Sequence, residues 1–226
     1  MVSGILVLLL ASSTSSDLTR DLNRARDRQD RSALEAIAAK AAEGAKQDDA
    51  AAQYRVAVAQ SYVAEVAQEL RDKNGARAAA EAGIKAAQRA VELKPDVAEH
   101  HRILGTLCGQ VIPANVLAGM KYGRCALDEI NKALELDPKS AKAYLSRGVG
   151  NYYLPPAFGG GTEPAIRDFR KAIEFDPRSS EAYLWLGLGL RKANQNAEAR
   201  KAFQKALQLN PNRVWVKEQL EKTPAQ

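Results

Sequence analysis

Four stretches of this 226-residue chain end alike: Val91-Glu92-Leu93-Lys94-Pro95, Leu134-Glu135-Leu136-Asp137-Pro138, Ile173-Glu174-Phe175-Asp176-Pro177 and Leu207-Gln208-Leu209-Asn210-Pro211. Each reads as the apolar end of a helix stopped by proline, which lacks an N–H and biases the residue before it away from helical geometry. The prolines stand 43, 39 and 34 residues apart. Repetition on this scale restricts the chain to an array of small units, none of which can bury its apolar face alone.

The spacing inside the units is more regular than the period. A small residue (Gly83, Ala126, Ala165, Ala199) stands 12 positions before each proline, and His101, Tyr144 and Tyr183 stand 6 positions after one. Only the stretch between the two helices of a unit varies. Gly187 to Ala199 spans 12 positions, Gly148 to Ala165 spans 17, Gly105 to Ala126 spans 21 and Val58 to Gly83 spans 25. All insertions therefore fall at one edge of the array, which is often a functional edge. In the first unit the insert keeps helical character, with Asn74-Gly75 as its turn. In the second and third, residues 109–115 and 154–161 break the helical period, and the two loops are expected to be neighbours.

The last unit reads Tyr183-x2-Leu186-Gly187-x2-Leu190, then Ala199-x3-Phe203, Ala206 and Pro211. Gly187 and Ala199 are small where two antiparallel helices must cross, and the larger residues fill the space beside them. The third unit repeats this with Tyr144, Gly148, Ala165, Phe169, Ala172 and Pro177, the second with His101, Leu104, Gly105, Ala126, Ile130, Ala133 and Pro138. The first is fainter, with Tyr54, Ala57, Gly83, Ala87, Ala90 and Pro95. On these residues the chain resembles the tetratricopeptide-repeat family, strongly over residues 96–222 and more weakly back to about residue 50. The Phe158-Gly159-Gly160 loop is similar to one in exported bacterial tetratricopeptide proteins of unassigned role, and a similar loop occurs in microtubule-dynamics-regulator-like proteins.

The resemblance implies an all-α fold: a right-handed α-solenoid of antiparallel helix pairs. About four repeats occupy residues 50–222, ending in a capping helix. Residues 17–49, with amphipathic stretches at 18–23 and 32–44, form an N-terminal cap or degenerate repeat, and 223–226 a tail. Strand-like alternation is absent, and an apolar fraction of 46% dominated by alanine suits close-packed helices.

Gly4 to Ala11 is an apolar run followed by serines, too short to span a bilayer and of the length of a signal segment, although no Lys or Arg precedes it. Residues 1–16 are therefore a candidate signal segment. Export to a periplasm or the exterior follows from it, and a cytoplasmic location follows if the run is not a signal. The net charge of +6 is spread along the chain. The basic stretch Arg20 to Arg31 is interleaved with Asp21, Asp27 and Asp30, which reads as a solvated helix face, and it lacks the stacking aromatics of a nucleic-acid groove. Cys108 and Cys125 are either two buried apolar side chains or a disulfide.

No nucleophile–base set, paired carboxylates or metal-spaced cluster stands out, so the expectation is a non-catalytic protein without cofactor or metal. A packed, partly buried ring is expected at His101. Residues Gly159 to Gly161 lack the Lys-Ser/Thr of a phosphate loop. The expected function is a scaffold binding a peptide or protein, not nucleic acid, with no membrane insertion of the mature chain. The family's concave groove, lined by first helices, maps onto Leu145, Val149, Tyr152, Leu184, Leu188 and Arg191, with Arg102 and Thr106 in the same phase of the second unit. The Lys/Asn/Arg set with which some members grip a peptide carboxylate is not present. The inserted loops add Pro113, Asn115, Pro155, Pro156, Phe158, Gly159 and Gly160 as contact candidates. Arg147 stands in a core-facing slot, where it either bridges to a carboxylate or loop carbonyl or contacts an anion. The second reading is a small-ligand or transport-accessory protein, with a pocket closed by the loops and Arg147 facing the anion.

Overall fold

The computed structural model describes residues 17–112 and 116–225. The candidate signal segment, Pro113 and Asn115 lie outside these residues. Eleven α-helices and no strand occur among the described residues. They are α1 (17–27), α2 (Arg31–Glu43), α3 (Ala50–Glu69), α4 (Lys73–Leu93), α5 (Ala98–Val111), α6 (Val116–Leu136), α7 (Ala141–Tyr153), α8 (Thr162–Phe175), α9 (Ser180–Lys192), α10 (Asn196–Leu209) and α11 (Val214–Glu221), with a 3₁₀ turn at Pro156–Phe158. Successive helices pair, and α3, α5, α7 and α9 also pack on one another in order. The array is thus an all-α solenoid with first helices forming one layer. None of the described helices is long and apolar enough to cross a membrane.

The repeated Asp/Asn-Pro ending has a local cause. Proline offers no N–H, and the side chain before it reaches over the ring to the next amide. Asp137 accepts from Lys139 N–H at 3.1 Å, Asp176 from Arg178 at 3.0 Å and Asn210 from Asn212 at 3.2 Å. Two residues beyond the proline, Ser140 and Ser179 cap α7 and α9, accepting from Ala143 and Ala182 N–H at 3.2 Å each.

The turns inside the units are of two kinds. Gln29, Arg71 and Asn194 adopt left-handed φ angles of 54°, 64° and 62°. The amide after each bonds back to Ala25, Ala67 and Leu190 at 2.9, 2.8 and 2.9 Å, closing α1, α3 and α9 tightly. This corrects the Asn74-Gly75 turn. The bend comes three residues earlier, and Asp72 caps α4 by accepting from Gly75 N–H at 2.9 Å. The insert of the first unit therefore lengthens two helices. In the second unit α5 runs on through Gly109 to Val111, and α6 takes up much of the insert. Only the third unit carries a fully described loop, 154–161.

Close crossing explains the small residues. A Cβ on Gly148 would stand 2.5 Å from the Phe169 ring, and one on Gly187 2.6 Å from Phe203. Both rings are completely buried. Two apolar clusters result. One runs from Leu22 and Leu34 through the alanines of α3 and α4 to Leu107, and the other joins Leu184, Leu188, Phe203 and Val216. Arg147, expected in a core slot, bridges α7 to α8: Nε and Nη2 donate to Asp168 at 2.9 and 2.7 Å, and Asn151 donates to the same carboxylate at 2.9 Å. His101 is buried as expected, with ring nitrogens 2.6 Å from Glu129 and 2.8 Å from Pro95 O.

Cys108 and Cys125 are joined, tying α5 to α6 with their Cα atoms 6.0 Å apart. A cross-link closing a loop of this size contributes about 3 kcal/mol by restricting the unfolded chain. Replacing both cysteines by serine is expected to lower the melting temperature by about 6–12 °C under non-reducing conditions. In reductant the two proteins should melt together. Calorimetry checks both.

Candidate binding face

The layer of first helices does not form an open groove along its whole length. Part of it is filled by Arg213, the residue just before α11, which is completely buried. Its Nε donates to Glu181 at 3.0 Å, Nη1 to Glu69 at 3.0 Å and to Arg26 O at 3.3 Å, and Nη2 to Glu65 at 2.9 Å and to the second Glu69 oxygen. Arg26 lies beside it, 2.9 Å from Asp27 and 3.3 Å from Glu181, with its guanidinium 5.4 Å from the Tyr62 ring centre. Gln29 donates to Glu69 at 3.1 Å and Asn210 to Asp27 at 2.8 Å. Residues of α1, α3, α9 and the α10–α11 turn thus meet in one knot, and the two ends of the array touch.

Four carboxylates face two guanidinium groups here, and that imbalance shapes the electrostatics. Burial opposes the charge on Arg26 and Arg213, but the carboxylates around them outweigh it and hold both firmly protonated. Burial would also raise Glu181, yet Arg26 and Arg213 hold it below the usual carboxylate range. Glu65 goes the other way. Burial pushes it up to about 7, Arg26 offsets part of that, and Glu181 adds to it.

The groove candidates fare unevenly. Leu184 and Leu188 are 0% and 4% exposed within the C-terminal apolar cluster, which also holds Val216 of α11, so the expectation that they greet a partner is corrected. The cause is α11, which stacks as one more first helix. Arg191 is also turned inward, donating to the Gln219 side chain at 2.8 Å and to Gln219 O at 3.2 Å. Leu145, Val149 and Tyr152 on α7 remain partly accessible. Arg102 pairs with Glu99 at 2.9 Å, and Thr106 donates to Arg102 O at 2.8 Å. Arg147, spent on Asp168, is not an open anion contact.

The loop candidates are arranged differently. Pro155, Pro156, Phe158 and Gly159 are exposed, and Gly160 is buried. Phe158 stands at the end of the 3₁₀ turn with 75% of its surface in water. The turn beneath it is closed by Gly159 N–H to Pro156 O at 2.9 Å, Gly160 N–H to Pro155 O at 3.2 Å and Gly161 N–H to Asn151 O at 2.8 Å. Gly159 and Gly161 take φ angles of 85° and 108°, and a Cβ on Gly160 would overlap Leu154 O. The Arg213 knot escaped the sequence reading. Its one visible signal was an arginine two residues after Pro211, where the preceding units place the capping serines 140 and 179.

A carboxyl with a folded pKa above its unfolded value takes up a proton on folding between the two, so stability falls as pH rises through that window. For Glu65 the window runs from the ordinary value of 4.5 to about 7. His100, lowered by burial, acts in the opposite direction but is unchanged by substitution at Glu65. Glu65→Gln is therefore expected to gain stability relative to the parent as pH rises from about 5 to 7. Paired melting curves across that range check it, and parallel pH profiles would refute the assignment.

Among solved structures the chain resembles a thermophilic tetratricopeptide protein of Thermus thermophilus, with 17% identity over 85% of this chain and 87% of that one and a TM-score of 0.57. It also resembles pilF of Pseudomonas aeruginosa, with 21% identity over 74% of this chain and 66% of that one and a TM-score of 0.50. These likenesses concern the fold. No curated protein matches the chain. A tetratricopeptide-repeat model matches residues 180–213, the unit with the complete pattern. The family described as regulator of microtubule dynamics protein 1-3 matches residues 19–154, more than half of the sequence, and with its repeat architecture the chain belongs to that family of tetratricopeptide-repeat proteins.

Proposed function

We propose that the protein is a non-catalytic scaffold that binds a protein partner at its inserted edge, with Phe158 as the anchor. The observation that carries this is a large aromatic ring held in water by an ordered turn. Exposing that ring costs free energy, and holding it rigid reduces the entropy lost when a partner covers it. Aromatic anchors of this kind dominate interface energies. Tyr153, 48% exposed at the end of α7, and the partly accessible Leu145, Val149 and Tyr152 extend the candidate surface along the same helix. Tetratricopeptide proteins act in general through protein contacts, which fits a scaffold.

The same reading places the mature chain in an oxidising compartment after export. The α5–α6 disulfide supports that location, because such bonds persist outside the reducing cytosol. The apolar run at Gly4 to Ala11 is its sequence counterpart.

Phe158→Ala is expected to weaken partner capture from native extract by about 2 kcal/mol, roughly thirtyfold, with the melting temperature unchanged. Undiminished capture by a folded Phe158→Ala protein would move the interface elsewhere.

A further inference from the structure

The meeting of the two ends creates a cavity of about 490 Å³ lined by Thr19, Arg20, Asn23, Arg24, Asp27 and Arg28 of the N-terminal segment and by Asn212 of the α10–α11 turn. Arg20, Arg24 and Arg28 follow one another at four-residue steps, so their charges lie along one ridge and repel. Several other helical cations are answered by a carboxylate three or four residues away, as in Arg31–Glu35, Arg77–Glu81, Arg89–Glu92, Arg124–Asp128 and Lys171–Glu174. Arg24 and Arg28 are exposed and form no ion pair with another described residue. The acids within reach are otherwise engaged: Asp27 is held by Arg26 and Asn210, and Asp17 and Asp21 flank Arg20.

We propose that this cavity is a binding site for an acidic peptide segment, whose carboxylates are taken by Arg24 and Arg28 with Arg20, Asn23 and Asn212 at its margin. Each guanidinium can grip a carboxylate through two parallel N–H donors, and the amides of Asn23 and Asn212 supply neutral donors. Asp27 sits in the same wall, but its oxygens already accept from Arg26 and Asn210, which limits its repulsion of an incoming anion. Because Asn212 comes from the far end of the array, the site is complete only while Arg213 and Asn210 hold the ends together. The inference rests on the scaffold reading only in taking the acidic segment to belong to a protein partner.

The test uses the full chain and a fluorescein-labelled hexaglutamate peptide, followed by anisotropy at about 50 mM salt, where surface charge is weakly screened. Saturable binding is expected, weakened about tenfold by Arg24→Glu/Arg28→Glu and reduced further as salt rises. Arg167→Glu/Arg170→Glu changes net charge equally on another exposed face and is expected to bind as the parent does. Absence of saturable binding, or equal weakening by both double variants, overturns the site. Tighter binding of an oligothymidylate of the same charge overturns the assignment to a peptide. The synthetic probe makes either failure independent of whether Phe158 anchors a partner.

Discussion

The geometry of the inner face depends on one completely buried guanidinium. Arg213 reaches Glu181 one repeat back, Glu65 and Glu69 at the far end of the array, and the Arg26 carbonyl. A charge taken this far from water is tolerable only when its donors are met, and here all of its nitrogens find acceptors. Removing Arg213 would leave Glu69 and its neighbours buried without their main counter-charge, which typically costs about 3–5 kcal/mol. The contact therefore specifies how the last helix meets the first, beyond what neighbour-to-neighbour stacking determines in a repeat array.

The knot also costs something. Four carboxylates are taken from water around two guanidinium groups, and burial, with the neighbouring carboxylates adding to it, raises the pKa of Glu65 and Glu69. A hydrophobic contact of the same size would avoid this. It would also be indifferent to register, whereas the paired donors of an arginine fix the angle and depth at which a carboxylate approaches. The asymmetry in charge is thus the counterpart of a specific closure between elements more than a hundred residues apart.

That separation explains which parts of the architecture were legible in advance. The Asp/Asn-Pro turns, the small residues opposite Phe169 and Phe203 and the pairing of helices act over a few residues or one unit, and the pattern of residues states them directly. The turn at Arg71 was less visible, because an arginine in left-handed geometry is held by the Asp72 cap and helix-end hydrogen bonds and not by its own preference. Arg147 was recognisable as a charged residue in a core slot, but its partner Asp168 lies 21 positions away on a different helix. The groove assignments of Leu184, Leu188 and Arg191 assumed that α9 presents a free face, and the stacked α11 removes that freedom. Nothing at Leu184 and Leu188 distinguishes a groove from a helix–helix contact, since apolar residues at helical spacing serve both.

Once the ends are joined, the available surface is redistributed. In an open array the central layer offers first-helix side chains to a ligand. In this chain part of that layer is taken up by contacts between its own ends, and two further surfaces lie at the margins of the array. At one margin Phe158 stands on a turn whose backbone is fixed by four hydrogen bonds, its own N–H to Pro155 O among them. At the other, the seam between the ends carries arginines that no carboxylate of the described chain neutralises. The two differ in what they offer: an apolar anchor that gains from being covered, and a cationic ridge that gains from being neutralised. Stability and recognition are therefore drawn from the same contact, because the guanidinium that closes the array also decides which of its surfaces are left to others.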